Sequence, residues 1–316
     1  MRNLNNNPVN TIFLGSGWES VATLKALHED PRFNMASVIT TTDKPVGRKH
    51  ILTPSDVKKY AMDNGIEVFH TEKKKEKYQE ALDLYKPELV VCKAFGEIVP
   101  EFFLESPTYK SINVHFSLLP KYRGAVPIQK AILDGESKTG ISIMLMSAGL
   151  DEGDVLDMYE ENILPNDTNQ TLRERLVLKS AQILGDVLEK WINGEITPVP
   201  QDDSKATFCW QKDISKENAQ IDWTDMEPEY IERMSRALLP WPVAWTIVED
   251  KRVKLFDIEV LECKTDKEAG TLFTEDDLLL FATKDKNTCI KVNELQIEGK
   301  QRMMAKEYVN GFQDYL

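Results

Sequence analysis

Cysteine is scarce in this 316-residue chain, and the four that occur do not cluster. Cys92, Cys209, Cys263 and Cys289 lie far apart with no C-x-x-C pair. That spacing argues against a structural zinc site and leaves reduced thiols as the expectation. Long apolar runs are missing too: none approaches the roughly 20 residues of a membrane helix. The opening MRNLNNNPVNTIFLG carries no apolar signal segment, so a cytoplasmic protein with no membrane partner is expected. Basic residues are outnumbered, 39 Lys+Arg against 52 Asp+Glu, a net charge of -13. Such a balance excludes a generic basic nucleic-acid binder but allows a local basic patch on an acidic body. No internal repeat or low-complexity tract is present.

What is there is an ordinary globular composition, 41% apolar and 29% charged, with room for two domains. TIFLGSG (11–17) reads as a buried strand ending in glycines, followed by helical spacing at Val21, Leu24 and Leu27. MASVITT (35–41) is a second strand. SDVKKYAMDNG (55–65) is a helix with Ser55 as its N-cap, Pro54 at its entrance and Gly65 as its stop. IEVFH, the charged helix KKKEKYQEALDLYK and ELVVCKAFG continue the alternation. Strands alternating with helices predict a Rossmann-like α/β domain around a mostly parallel sheet. A long amphipathic helix is predicted over 172–194, and TPVPQDDSKAT (197–207) reads as a linker. Beyond it a helix (227–239) precedes five short strands, the pattern of a small β-barrel. The expected division is a catalytic domain over 1–196, a linker over 197–207 and a second domain over 208–316.

Candidate chemistry gathers in two segments. INVHFSLLPKYRGAVPIQ carries Asn113, His115 and Ser117, and the later TGISIMLMSAGLDEGD carries Asp151. In an open α/β sheet, ligands gather outside the carboxyl ends of strands. Two strand ends are thus expected to bring an amide, an imidazole and a carboxylate to one crevice. Asn113 and His115, two residues apart on a strand, point to the same side. The amide can hold a developing oxyanion, and the carboxylate can orient the imidazole and help to move protons. This set suits acyl transfer between nitrogens. Ser117 lacks the G-x-S-x-G context of a nucleophile. Gly15-Ser16-Gly17 is not G-x-G-x-x-G, so a tight strand-to-helix turn is favoured over a dinucleotide site.

The full run N-x-H-x-S-L-L-P-x-x-R-G-A-x-P-I-Q, followed by G-L-D-x-G-D, resembles the formyltransferases that use 10-formyltetrahydrofolate, and within them the branch acting on methionyl-tRNA. The resemblance implies formyl transfer from 10-formyltetrahydrofolate to the amino group of methionyl-initiator tRNA, by a monomer and without a metal. It implies Asn113, His115 and Asp151 as the catalytic set, with Asn113 and His115 on the oxyanion and Asp151 tuning His115. The donor site falls on Phe95, Gly96, Glu97 and Ile98, with Ser117, Leu118, Leu119, Pro120, Gly149 and Leu150. The segment TTDKPVGRKHILTPSDVK (41–58) resembles the loop that such enzymes place on tRNA, with Lys44, Arg48 and Lys49 as its cations. The second domain becomes an OB-like, tRNA-binding barrel, supported by RALLPWPVAW (236–245). Its acidic balance over 205–316, 16 Lys+Arg against 22 Asp+Glu, restricts any tRNA contact to local patches such as Lys251, Arg252 and Lys254 or Lys300, Arg302 and Lys306. Two departures stand out: the family turn G-T-P-x-F is here Gly15-Ser16-Gly17-Trp18-Glu19, and Phe116 fills a slot that is commonly small. Sugar-nucleotide N-formyltransferases share the catalytic run and are the alternative. A formyltetrahydrofolate hydrolase and a non-catalytic folate or tRNA binder rank lower.

Overall fold

The computed structural model of the protein describes residues 4, 7–47 and 50–311, and the chain forms two compact units. The first runs through Arg123 and takes up Gly140–Glu161 and Glu174–Phe208. The second holds Gly124–Thr139, Asn162–Arg173 and the chain from Cys209 onward.

The first unit is built on β1 (Val9–Gly15), α1 (Trp18–Glu29), β2 (Phe33–Ile39), the short β3 (Lys44–Val46) and β4 (Ile51–Thr53), α2 (Asp56–Asp63) and β5 (Val68–Phe69). These are followed by α3 (Lys75–Tyr85), β6 (Leu89–Lys93), α4 (Glu101–Glu105), β7 (Ser111–His115) and the two-residue β8 (Arg123–Gly124). After α5 (Pro127–Leu133) come β9 (Lys138–Leu145), β10 (Val155–Asn162) and α6 (Asn169–Ile192). The main sheet has the order β10-β9-β7-β6-β1-β2-β5. β1, β2, β5, β6 and β7 are parallel, and β9 runs antiparallel to β7. Its central strands are apolar on both faces, because helices cover a parallel sheet on both sides. Ile12, Leu14, Val90 and Phe103 are buried in one cluster there.

Local signals explain the joints. Ser55 caps α2 by accepting from the Lys58 N–H at 3.0 Å, as its sequence position predicts. Gly15 ends β1 where an added Cβ would lie 2.6 Å from the Phe13 ring and 3.0 Å from the Lys93 carbonyl. Only glycine lets this turn approach β6 so closely.

The second unit carries α5, α7 (Pro228–Ala237), β12 (Trp245–Val248), β13 (Lys251–Glu262), β14 (Leu272–Glu275), β15 (Leu278–Ala282), β16 (Thr288–Ile297) and β17 (Met303–Met304), preceded by the short β11 (Phe208–Cys209) and closed by α8 (Ala305–Gly311). Its antiparallel sheet runs β12-β13-β16-β15-β14, with β17 added to β16. The five short strands predict a small β-barrel and the resemblance an OB-like one; the sheet observed is an OB-like half-barrel. One expectation is corrected here. Cys263 and Cys289 are joined in a disulfide, with Cα atoms 5.4 Å apart, while Cys92 and Cys209 are free and buried. Linear spacing separates the pair by 26 residues, but the register sets Leu261 opposite Cys289 and so folds one onto the other. Among the described residues no helix is long and apolar enough to cross a membrane.

Candidate active site

β7 presents Asn113 and His115 at its carboxyl end, on one side of the strand, as alternation requires. Asp151 reaches them by a route that differs from the expected one. Because β9 is antiparallel to β7, Leu145 pairs with Ile112 and the carboxyl end of β9 lies at the opposite edge. The two strand ends therefore do not converge. Instead the loop 146–154 folds back: the Met146 N–H donates to Ser111 O at 2.7 Å, and the Leu145 N–H donates to Asp154 O at 2.9 Å. Asp151 sits in this loop with φ +50, a left-handed conformation uncommon for a residue with a Cβ.

Gly153 makes the return possible. A Cβ there would stand 2.0 Å from the Leu145 carbonyl oxygen. Gly153→Ala is expected to destabilise the protein by about 1–3 kcal/mol through forced backbone displacement. Denaturant unfolding of the variant checks this; an unchanged midpoint would show that the loop is not held so tightly.

The three side chains meet. Asn113 Nδ2 donates to Asp151 Oδ1 at 3.2 Å, and His115 Nδ1 lies 3.5 Å from Asp151 Oδ2. His115 Nε2 stands 2.9 Å from the Tyr122 carbonyl oxygen. A carbonyl only accepts, so Nε2 carries the hydrogen. Burial pushes the His115 pKa below its ordinary value; the Asp151 charge and the Tyr122 carbonyl oppose that shift, and the nearby Lys93 cation adds to it. Burial thus favours the neutral ring, and in the tautomer that the Tyr122 carbonyl selects the lone pair at Nδ1 is turned toward Asp151. Asn113 spends one amide hydrogen on Asp151, and its amide carries a second.

Lys93 was not singled out in the sequence, yet it is only 4% exposed at the end of β6. Its Nζ donates to Val114 O at 2.9 Å and lies 3.0 Å from the centroid of the Phe116 ring. The large residue in the usually small slot thus covers a buried cation, an arrangement favoured when the charge is desolvated. Burial, with the charge of Asp151, pushes the Cys92 thiol up to about 12, which argues against Cys92 as a thiolate nucleophile at neutral pH.

The residues expected at the donor site divide into two groups. Ile98 is 94% exposed and Leu150 is exposed beside Asp151, leaving two aliphatic side chains open to a ligand. Gly96, at φ +78, turns the chain ahead of Ile98, and Gly149 lies half-buried ahead of Leu150. Phe95 packs in the core with Leu14, Cys92 and Phe103. Glu97 accepts from the Thr71 hydroxyl at 2.7 Å, which ties its carboxylate to the protein. Ser117 donates to Lys121 O at 2.6 Å, and Leu119 packs with Met144 and Val155. Leu118 and Pro120, both half-buried, complete this turn. Of the loop cations, Lys44 is exposed at the start of a hairpin in which it pairs with Thr53, whereas Arg48 and Lys49 lie outside the described residues. The same hairpin exposes Ile51 (62%) and Leu52 (69%).

Comparison with known proteins gives two family matches, "formyl transferase" over residues 9–188 and "formyl transferase, C-terminal domain" over residues 213–313. The chain is 41% identical over 306 residues to a methionyl-tRNA formyltransferase of Geobacillus sp. (strain WCH70), covering 96% of this chain and 94% of that one. It is 38% identical over 308 residues to a methionyl-tRNA formyltransferase of Staphylococcus aureus (strain Newman), covering 96% and 97%. Among solved structures, an N-formyltransferase from Helicobacter canadensis in complex with folinic acid and dTDP-3-aminofucose superposes with a TM-score of 0.66 at 20% identity, over 90% of this chain and 98% of that one. HypX from Aquifex aeolicus in complex with tetrahydrofolic acid gives a TM-score of 0.61 at 16% identity, over 96% of this chain and 47% of that one. At these identities the two structures speak for the fold alone.

Proposed function

The chain belongs to the formyl transferase family, and from that premise we propose that it carries the formyl group of 10-formyltetrahydrofolate to the amino group of methionyl-initiator tRNA. The observation that carries the chemistry is the single Asp151 carboxylate held between the Asn113 amide and the His115 ring. Similarity over nearly the full length to methionyl-tRNA formyltransferases supports the acceptor.

In this reading the free amine attacks the formyl carbon, and the carbonyl oxygen becomes an oxyanion. The second Asn113 N–H donates to it, a role that matters most as charge develops. His115, which the resemblance puts on the oxyanion beside Asn113, has its Nε2–H on the Tyr122 carbonyl and takes another role in this reading: the attacking nitrogen becomes positive and gives a proton to His115 Nδ1, while Asp151 balances the imidazolium. The bond from the formyl carbon to the donor nitrogen then breaks, and His115 returns the proton to the leaving nitrogen. Ile98, Leu150 and the backbone around Gly96 are proposed to receive the donor's ring. The hairpin with Lys44, together with Arg48 and Lys49, is proposed to meet tRNA. Basic residues of the second unit are proposed to assist: Arg252 and Lys254 lie on β13, and its neighbour β16 leads into Lys300 and Arg302, the last paired with Glu294. Such side chains let an acidic body contact phosphates. A catalytic domain over 1–196 and a second domain over 208–316, action as a monomer and residence in the cytoplasm belong to the same proposal; the 197–207 segment, expected as a linker, falls within the first compact unit.

The test is an assay with 10-formyltetrahydrofolate and either methionyl-initiator tRNA or a dTDP-amino sugar. Formylated tRNA is expected, with KM for tRNA rising about tenfold in a Lys44→Ala/Arg48→Ala variant and with added salt, as phosphate contacts release counterions. Formylated sugar with untouched tRNA would keep the chemistry and reject the acceptor.

A further inference from the structure

The segment after α6 reads in the sequence as a linker, yet it is fastened to the loop that carries Asp151. Val199 and Val155 exchange both backbone hydrogen bonds at 2.9 Å. Two residues on, Gln201 Nε2 donates to Asp151 O at 2.8 Å and to Gly153 O at 2.7 Å. Gln201 Oε1 accepts from Arg123 Nε at 3.0 Å and from Nη2 at 2.9 Å. Arg123 is 3% exposed, and its Nη2 also donates to Asp203 Oδ1 at 2.7 Å.

The connectivity of this network is informative. Arg123 directly follows Tyr122, whose carbonyl orients the His115 ring at 2.9 Å. One amide therefore joins the backbone of the carboxylate-bearing residue to the turn that holds the imidazole. Asp151 and Tyr122 are both at positive φ, +50 and +59, conformations that persist only where surroundings impose them. A primary amide suits this place because it can accept from a guanidinium and donate to two carbonyls at once. Glutamate would keep the Arg123 pair but would lose both donated bonds and face two carbonyl oxygens with a charge.

We propose that Gln201 is a positioning residue that fixes the Asp151 loop against the His115 turn, so that the segment read as a linker completes the catalytic geometry. The proposal rests on the assignment of Asn113, His115 and Asp151 as the catalytic set. Small displacements of reacting groups cost on the order of 10² in rate. Gln201→Ala and Gln201→Glu are both expected to lower kcat by roughly 30–100-fold while KM for each substrate changes less than about twofold.

A readout independent of turnover is the titration of the His115 ring, followed by NMR of histidine-labelled protein and assigned against His115→Gln. The groups acting on the ring are Asp151 and the Tyr122 carbonyl, which favour its protonation, and Lys93, which opposes it. Release of the Asp151 loop changes both the burial that lowers the His115 pKa and the Asp151 charge that raises it, so the His115 titration should move away from its wild-type position in both variants. Gln201→Glu keeps the Arg123 pair, and so keeps the test valid if Gln201→Ala does not fold. A His115 titration unchanged in the folded variants overturns the proposal, as does an unchanged kcat or a loss carried mainly by KM. If the wild-type protein formylates no tRNA, the functional reading fails, and the His115 titration still decides the role of Gln201.

Discussion

Asp151→Asn is expected to lower kcat by about 10³-fold with little change in either KM. The substitution is nearly isosteric, and the side chain can still accept the Asn113 N–H through its remaining oxygen. What disappears is the charge facing His115 Nδ1. Without it the imidazolium that forms when the amine gives up its proton has no counter-charge in a buried site. An unbalanced buried cation is strongly disfavoured. The neutral amide also presents an N–H of its own toward Nδ1 in one orientation, which would occupy the lone pair that receives the proton. Steady-state kinetics of the folded variant, with folding checked by circular dichroism, decide the matter. Turnover within tenfold of wild type would show that Asp151 does not act through His115.

His115→Gln is expected to lower kcat by roughly 10²–10⁴-fold, the range for loss of an acid–base group. Gln retains an N–H able to donate to the Tyr122 carbonyl, so the turn should survive while proton transfer does not. The pH dependence carries a sign. Burial lowers the His115 pKa in the folded protein below its unfolded value of about 6.5. The neutral ring thus contributes stability that is fully present above the unfolded pKa and is lost as pH falls from about 6.5 toward the folded pKa, because only the unfolded chain takes up the proton at first. Wild type should lose stability in that window, and His115→Gln should not lose that share of it. Thermal melts of both proteins across pH 7.5 to 5 measure the difference directly. Parallel curves would show that burial does not lower the His115 pKa. The acid limb of kcat should fall away at a pH below the ordinary histidine value of about 6.5, where the buried ring takes up a proton and can no longer receive the one from the amine.

Much of the scaffold was legible because it follows from local patterns. Alternating strand and helix periodicity gives the parallel sheet, and Ser55 and Gly65 mark the ends of their helix by capping chemistry alone. The five strands of the second unit show in their apolar runs and turn residues. Asn113 and His115 are legible as a pair because strand alternation puts both on one side. The position of Asp151 was expected for a reason that the fold does not use: β9 is antiparallel, so its end lies at the far edge and a folded-back loop brings the carboxylate home. Strand direction is set by which neighbours a strand finds, and no residue of TGISIMLM encodes it. The Cys263–Cys289 bridge was missed on the same ground, since only strand register brings the two together.

Phe95 shows the limit on the ligand side. The family resemblance implies Phe95 at the donor site, but the side chain packs in the core, and the neighbouring Ile98 is the one left exposed. Gln201 and Lys93 carried no signal at all. Each is an unremarkable polar residue in its local sequence, and each acquires a role through partners 50 or 21 positions away. By itself the sequence determined the element types, the two-part architecture and the amide–imidazole pair, because those depend on interactions spanning a few residues. Tertiary structure alone decided how the carboxylate reaches the pair, which ring nitrogen is free and what holds the loop in place, because those depend on strand direction, burial and hydrogen bonds between segments far apart in the chain.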